Sequence, residues 1–346
     1  MRIRNNFETG TLTGRKTIFA FVFMTAALLL LFAGNLVYGA VRIPLSDVVR
    51  ILFGGFEGKA TWQHIVLDSR LPQAVTALLA GASLAVSGLM LQTLFKNPLA
   101  GPSILGISDG ANLGVAVVMI YFGAGSYIST ILGAFVGAAA VLAVIIWFSH
   151  KVNNNVMLLI IGIMVGYLAS SVISILNFRA SADKVHQYVM WGMGDFSGVS
   201  VEKLPYFALF AVAGLIVALL LVKPLNTLLL GESYAQNLGI NVRRTRLAIL
   251  LCTGILTAAT TAFCGPISFI GLAVPHVARL LLGSSNHKFL VPVTILSGAG
   301  IALLCNMLTI LPGGNEVLPL NAITPLIGAP VILYVIVNRR NIQYFN

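Results

Sequence analysis

Long apolar runs dominate this chain and limit what it can fold into. The first run, 17–37, has the length of about 20 residues that crosses a lipid bilayer as a helix. Charged residues make up only 9% of the chain, against about 25% in a typical soluble domain, so a water-facing surface cannot be covered. We therefore expect an all-α polytopic membrane protein. A cleaved signal peptide is the alternative for the first run, but its length exceeds the usual core of roughly 7 to 15 residues and favours a retained helix.

Nine further apolar runs bring the predicted number of transmembrane helices to about ten. An even number puts both termini on one side, and with both in the cytoplasm 14 of the 21 Lys and Arg residues lie inside, as the positive-inside rule requires. The whole chain, 1–346, is then one transmembrane domain with a cytoplasmic tail, 1–16, and a cytoplasmic loop, 231–246. The nine runs are 71–94, 104–122, 127–148, 156–178, 204–222, 246–264, 267–282, 290–311 and 319–337.

Small residues and prolines mark how these helices pack and where they break. Glycines recur at a spacing of four, as in Gly110 with Gly114 and Gly133 with Gly137, which predicts close helix packing. Each proline in a span removes a helix hydrogen bond or caps an end, so we expect broken helices that line a cavity or mark a hinge. These prolines are Pro98, Pro102, Pro266, Pro275, Pro325 and Pro330.

Side chains that could drive chemistry or ion coupling are scarce. The predicted spans contain essentially one acid, Asp109, which is either a partnered carboxylate or a coupling or substrate contact. His276 and Arg279 share a helix face but offer no second metal ligand. We therefore predict no catalytic residue, no metal site and no nucleic-acid partner. A transporter made of this chain needs its energy from elsewhere, which indicates a partner ATPase.

Four separated segments together resemble one known family. They are GASLAVSGLMLQTLFKNPLAGPSILGISDGA at 81–111, GESYAQNLGINVRR at 231–244, GPISFIGLAVPHVARLL at 265–281 and LPLNAITPLIGAPVIL at 318–333. The chain resembles the iron-siderophore, haem and cobalamin permeases of ABC importers, the FecCD or BtuC-like type. The resemblance implies a BtuC-like permease fold, a second permease subunit in a homodimer and two cytoplasmic ATP-binding subunits that use ATP and Mg²⁺. This chain itself would then be no enzyme and would bind no cofactor.

The resemblance also implies a coupling segment that seats on the ATPase. The matching positions are Gly231, Glu232, Ala235, Leu238 and Gly239. The following stretch, 265–281, is interpreted as a lever beside these residues. An ordinary basic cytoplasmic loop would explain the neighbouring arginines but not the GES and LGI patterns.

A second set of positions carried over from the family closes the pathway on the cytoplasmic side. Asn97 and Leu99 are the predicted gate residues, with a simple capping turn at Asn97 as the alternative. A polar and an apolar side chain at a helix break can constrict a pore without charge.

On the outer face the family receives a substrate-binding protein through permease arginines. Arg70 matches one of them, and Arg42 and Arg50, in the polar connection 38–70, could contribute. Gln73 stands where the family often has another Arg, while Asn321 and Pro325 also depart from the family pattern.

The resulting expectation is a permease of the bacterial cytoplasmic (inner) membrane. Its cargo is a metal chelate, with a ferric siderophore first and cobalamin or haem as alternatives. An ion-coupled secondary transporter is the alternative from another class.

Overall fold

The computed structural model describes residues 9–56, 58–123, 126–152, 154–310 and 317–337. Nearly all of this part of the chain is helical, and its one β-bridge joins Ile310 to Val317. Short 3-10 and π segments interrupt the helices at 65–70, 102–105 and 117–121. The α-helices are α1 (Thr9–Val37), α2 (Leu45–Leu52), α3 (Ala60–His64), α4 (Leu71–Phe95), α5 (Ile107–Ala116), α6 (Tyr127–Lys151), α7 (Asn155–Arg179), α8 (Ala182–Gly192), α9 (Leu204–Leu220), α10 (Val222–Leu229), α11 (Glu232–Asn237), α12 (Val242–Cys264), α13 (Ile270–Leu282), α14 (His287–Leu308) and α15 (Leu320–Val337).

Each of the ten apolar runs contains a helix, which confirms the all-α membrane fold. Six helices of the described chain are long and apolar enough to cross a bilayer, and α9 with α10, bent by 52° where they meet, makes a seventh. The remaining three runs hold shorter apolar helices, Ile107–Tyr121, Ile270–Leu282 and Leu320–Val335. A helix of 13 residues such as α13 is about 20 Å long, less than the hydrocarbon thickness of about 30 Å. Helix α13 is therefore too short to cross the layer by itself.

The start of the second span differs from the sequence prediction, and two of the connections contain helices of their own. The second span begins at Ala60 rather than Leu71, because a π turn, Ile65–Arg70, carries the helix past the ring of Pro72 without a break. The segment after α7 forms a helix of its own, α8. The loop 231–246 is mostly helical, since α11 fills its first half and α12 begins at Val242.

Helix α4 lies at the centre of the molecule. In an apolar window of 18 residues within the span Ala60–Phe95, 89% of the residues are buried, against 17% in the corresponding window of the first span. Backbones meet where both helices carry glycine, as at Gly81 on α4 and Gly298 on α14, where a Cβ on either would overlap the other's carbonyl. Such contacts let helices approach closely in lipid, where the hydrophobic effect does not drive helix association.

The glycine pairs predicted from their spacing of four pack against one another. Gly110 and Gly114 of α5 face Gly137 and Gly133 of α6, and a Cβ at any of the four would overlap the opposing helix. The prediction of close helix packing at these positions is confirmed.

Candidate functional site

The predicted coupling residues form one compact unit. Helix α11 is bounded by Gly231 and Gly239, whose φ angles of 117° and 80° suit glycine and not other residues. Ala235 is fully buried and anchors the short helix, whereas Leu238 is 55% exposed.

Glu232 connects this unit to the spans. Its Oε1 accepts hydrogen bonds from Arg246 Nη2 at 2.9 Å and from Asn155 Nδ2 at 3.2 Å. The same Asn155 amide donates to the carbonyl oxygen of Leu94 at 3.1 Å. One side chain at the start of α7 therefore joins the coupling helix to the last turn of α4.

Sequence reasoning missed Asn155, although a signal was present. Asn154 caps α7, its Oδ1 accepting from Val156 N at 2.8 Å, and one asparagine is enough for that role. A second asparagine directly after a capping one has its amide available for contacts elsewhere.

The predicted gate residues lie in the turn that ends α4, and the first of them, Asn97, is three residues after Leu94. Lys96 has a φ of 47° and stops the helix, and Asn97 Oδ1 accepts from Leu99 N at 2.9 Å. Asn97 thus does cap the turn, as the alternative interpretation held. Leu99 is 41% exposed, so its side chain is available to constrict a passage.

Helix α13, within the stretch 265–281, holds this turn in place. His276 Nε2 donates to the carbonyl oxygen of Pro98 at 2.9 Å, and Arg279 Nη1 donates to Gln92 Oε1 at 2.7 Å. Gln92 Nε2 in turn donates to the carbonyl oxygen of Leu272 at 3.2 Å. Of the stretch interpreted as a lever, His276 therefore contacts the turn after α4, and Arg279 and Leu272 contact Gln92 in the last turns of α4.

A second polar connection reaches the end of α4 from α10. Asn226 Oδ1 accepts from both the backbone N and the Nδ1 of His287, at 2.8 and 3.0 Å. The opposite ring nitrogen of His287 lies 2.8 Å from Thr93 Oγ1. Because Asn226 Oδ1 can only accept, Nδ1 carries a proton, and Thr93 Oγ1 also lies 3.0 Å from the carbonyl oxygen of Leu89. The buried His287 therefore bridges α10, α14 and α4.

On the other side of the membrane, Arg70 is not available to a docking partner. It is only 6% exposed, and its guanidinium donates to the carbonyl oxygens of Leu36 and Val37, both at 2.9 Å, and of Val41. Arg70 therefore fixes the connection between α1 and α2, which corrects its predicted docking role. A buried guanidinium is stable only when such partners surround it.

The other two predicted docking arginines, Arg42 and Arg50, are exposed. Gln73 turns inward, where its amide donates to Asn306 Oδ1 at 3.0 Å.

Asn321 and Asp109 each pack at a helix junction. Asn321 Nδ2 donates to the carbonyl oxygens of Gly192 and Pro266, and its Oδ1 accepts from Ser268 N, so this departure from the family pattern ties three segments together. Asp109 packs against Gly166 of α7, where a Cβ would overlap its carboxylate. Burial and the neighbouring Asp109 raise the pKa of Tyr188, on α8, to about 12.

Comparison with known proteins identifies the architecture that carries this site. A model of the FecCD transport family matches residues 27–338. The chain belongs to the FecCD transport family. The match includes the second half of the first apolar run, the other nine runs, α11 and the turn after α4.

Curated relatives of this FecCD permease carry different cargo names. The hemin transport system permease HmuU of Yersinia pestis is 33% identical over 323 residues, which cover 92% of this chain and 95% of HmuU. The vitamin B12 import permease BtuC of Photorhabdus laumondii is 34% identical, covering 81% and 84% of the two chains. The molybdate import permease MolB of Haemophilus influenzae is 34% identical, covering 85% and 88%.

A solved inward-facing structure of a metal-chelate type ABC transporter has the same fold. It superposes on 92% of this chain and 98% of its own with a TM-score of 0.81, at 30% identity. The BtuC-like ABC permease fold expected from the sequence is confirmed.

Proposed function

We propose that this chain is the membrane permease subunit of an ABC importer that moves a metal chelate, first of all a ferric siderophore, into the cell. The observation that carries the mechanism is the double hydrogen bond of Asn155, which joins Glu232 of the coupling helix to the carbonyl of Leu94. Movement imposed on α11 from outside the membrane reaches the gate turn through it. Asn97 and Leu99 then open or close the cytoplasmic end of the pathway.

The partner that moves α11 is an ATPase. Leu238 and Tyr234 are exposed on the coupling helix and would enter a cleft of the ATP-binding subunit. Gly231 and Gly239 shape the turns on either side, and Ala235 keeps the helix seated on the permease. ATP and Mg²⁺ are bound and used by two such subunits, not by this chain.

A second copy of the chain completes the pathway. Helices α7 and α15 present large apolar side chains outward, such as Leu168 and Leu326. The outer face of α7 also carries exposed hydroxyls, Ser171 and Ser174, each bonded to a carbonyl of its own helix. Pairing of these faces in a homodimer would bury the apolar side chains and leave the hydroxyls along a weakly polar route that suits bulky chelates.

A substrate-binding protein would deliver the chelate on the opposite side from α11. Arg42 and Arg50 are exposed basic groups there that can meet its acidic side chains. Arg50 belongs to α2, and the buried side chains of Val48 and Ile51 on the same helix hold α2 against the rest of the chain. The assembly belongs to the bacterial cytoplasmic membrane with both termini in the cytoplasm; the first eight and last nine residues lie outside the described chain.

Reconstitution in liposomes tests the proposal. The chain, its ATPase and the neighbouring binding protein should accumulate ferric siderophore only with ATP inside, with haem, cobalamin and molybdate supplied in parallel as competing cargo. Preferred uptake of one of the other three would replace the siderophore and keep the permease role. Uptake that needs no ATPase and collapses with an ion gradient would instead establish a secondary transporter.

A further inference from the structure

An apolar groove runs along the membrane-facing side of α12. It lies between α6, α9 and α12, has a volume of about 580 Å³ and is lined by no charged residue. Its depth comes from small side chains, among them Ala139, Gly214, Ala248 and Cys252. Larger walls such as Leu251 remain 40% exposed, so the groove is open along its length. Such a surface accepts hydrocarbon and excludes polar ligands.

The groove is closed at one end only. The rings of Phe135 on α6 and Phe210 on α9 meet there at 5.4 Å between centroids, near the ends of these helices that lie away from α11. Ala248, at the opposite end of the groove, is six residues from the start of α12, and α12 starts five residues after α11 ends. The open end therefore points to the membrane surface that carries the coupling helix.

A basic cluster lies at that surface, where α6 ends and α12 begins. It consists of His150, Lys151, Arg243 and Arg244, all of them exposed. Arg243 Nε and Nη2 lie 3.3 and 3.2 Å from His150 Nδ1. Arg244 is four residues before Ala248 and so shares the helix face that floors the groove. Neither of the two carboxylate ion pairs in the described chain involves this cluster.

One aromatic side chain marks the depth of the membrane boundary here. Trp147 is half exposed on α6, and Lys151 Nζ lies 3.9 Å from the centre of its ring. Tryptophan prefers the level of the lipid headgroups. The cluster is therefore at headgroup depth and the groove directly below it is at acyl-chain depth.

We propose that the groove and the basic cluster bind one anionic phospholipid. Its phosphate is held by Arg243, Arg244 and Lys151, and one acyl chain lies in the groove up to the Phe135 and Phe210 rings. Basic pockets between helices at a membrane surface attract acidic headgroups, and guanidinium groups match phosphate oxygens in pairs. A soluble anion would use the cluster but leave the groove open, and a second copy of the chain would cover the groove without needing the arginines.

Native mass spectrometry of the intact chain in detergent tests this inference. Phosphatidylglycerol and phosphatidylcholine with the same acyl chains are titrated in separate samples, and the acidic lipid should bind more tightly. Each arginine near a membrane surface contributes about a fivefold gain in affinity. Arg244→Gln should therefore lower phosphatidylglycerol affinity about fivefold and the double variant with Arg243→Gln about 25-fold, with phosphatidylcholine unchanged.

Two variants separate the headgroup from the groove. Lys288 lies at the same membrane surface, since Asn286, two residues before it, is bonded to Asn226 of α10. Lys288→Gln removes one charge there outside the basic cluster and should leave the affinities for both lipids unchanged. Ala248→Leu narrows the groove and should weaken both lipids alike. Because Arg243 and Arg244 are exposed, their replacement tests binding without disturbing the fold.

Three results would overturn the proposal. Equal affinity for the two lipids, or an unchanged affinity in the double arginine variant, removes the headgroup site. Full displacement of phosphatidylglycerol by an equal concentration of glycerol phosphate identifies a free-anion site. A disulfide between two chains through Leu251→Cys in a Cys252→Ala background identifies a second copy as the occupant.

Discussion

Replacing Asn155 by Leu should disconnect ATP hydrolysis from transport. Leucine has the same branching as asparagine but no polar atoms, so both bonds of the Asn155 amide, to Glu232 and to the Leu94 carbonyl, are lost. A hydrogen bond to a charged group contributes about 1.5 to 3 kcal/mol and a neutral one about 1 kcal/mol. The Glu232 side chain is 36% exposed, and solvent screening brings the total to about 2 kcal/mol. This is roughly a thirtyfold shift in the equilibrium between linked and separated α11 and α4.

The assay is the ratio of substrate transported to ATP hydrolysed in liposomes. Asn155→Leu should lower this ratio at least tenfold while basal hydrolysis persists, because the ATPase still docks on α11. Asn154→Ala is the matched control: it removes the neighbouring asparagine and a helix cap of about 1 kcal/mol but no bond to α11 or α4. Its ratio should equal that of the unchanged protein.

A double-mutant cycle with Glu232→Gln sharpens the test. If Asn155 acts through Glu232, the two changes together should cost less than the sum of the single effects. A normal ratio in Asn155→Leu, an equal loss in Asn154→Ala, or strictly additive effects would each refute the assignment of Asn155 as the link.

Three further predictions concern the surface, the outer connection and the membrane interior. Leu238→Asp should abolish copurification of the ATPase without lowering the melting temperature of the permease, because this side chain is exposed on α11; retained copurification would contradict the docking surface. Arg70→Met should lower the free energy of unfolding by about 2 to 4 kcal/mol, since three carbonyl oxygens lose their donor, whereas Arg42→Gln should leave stability unchanged and weaken only binding-protein affinity. Asp109→Asn should retain ATP-driven uptake in liposomes, while its complete loss would favour ion coupling.

The architecture follows closely from the apolar runs. All ten runs contain helices, and the glycines at spacing four meet across α5 and α6 as expected. The start of the second span is the exception. The polar residues 60–70 predicted a connection between spans. They form the first turns of the helix instead, because a π turn before Pro72 lets the helix continue.

The site was only partly predictable. Resemblance located α11 and the gate turn, yet it assigned Arg70 to a partner, and the structure buries this guanidinium against the chain's own backbone. Asn155 carried no assigned role at all. His276 and Arg279 were recognised as sharing a face, but their partners, Pro98 and Gln92, were not visible in the sequence.

The physical reason for this division is the range of each interaction. In lipid every backbone donor and acceptor must be satisfied within its own helix, so 20 or so neighbouring residues determine a span by themselves. A buried polar side chain has to find its partner elsewhere: Asn155 bonds to a carbonyl 61 residues away and His276 to one 178 residues away. The sequence alone therefore determined the spans, their close packing and the family. Only the packing of α4 against α7, α13 and α14 decided which side chains connect α11 and α13 to the end of α4.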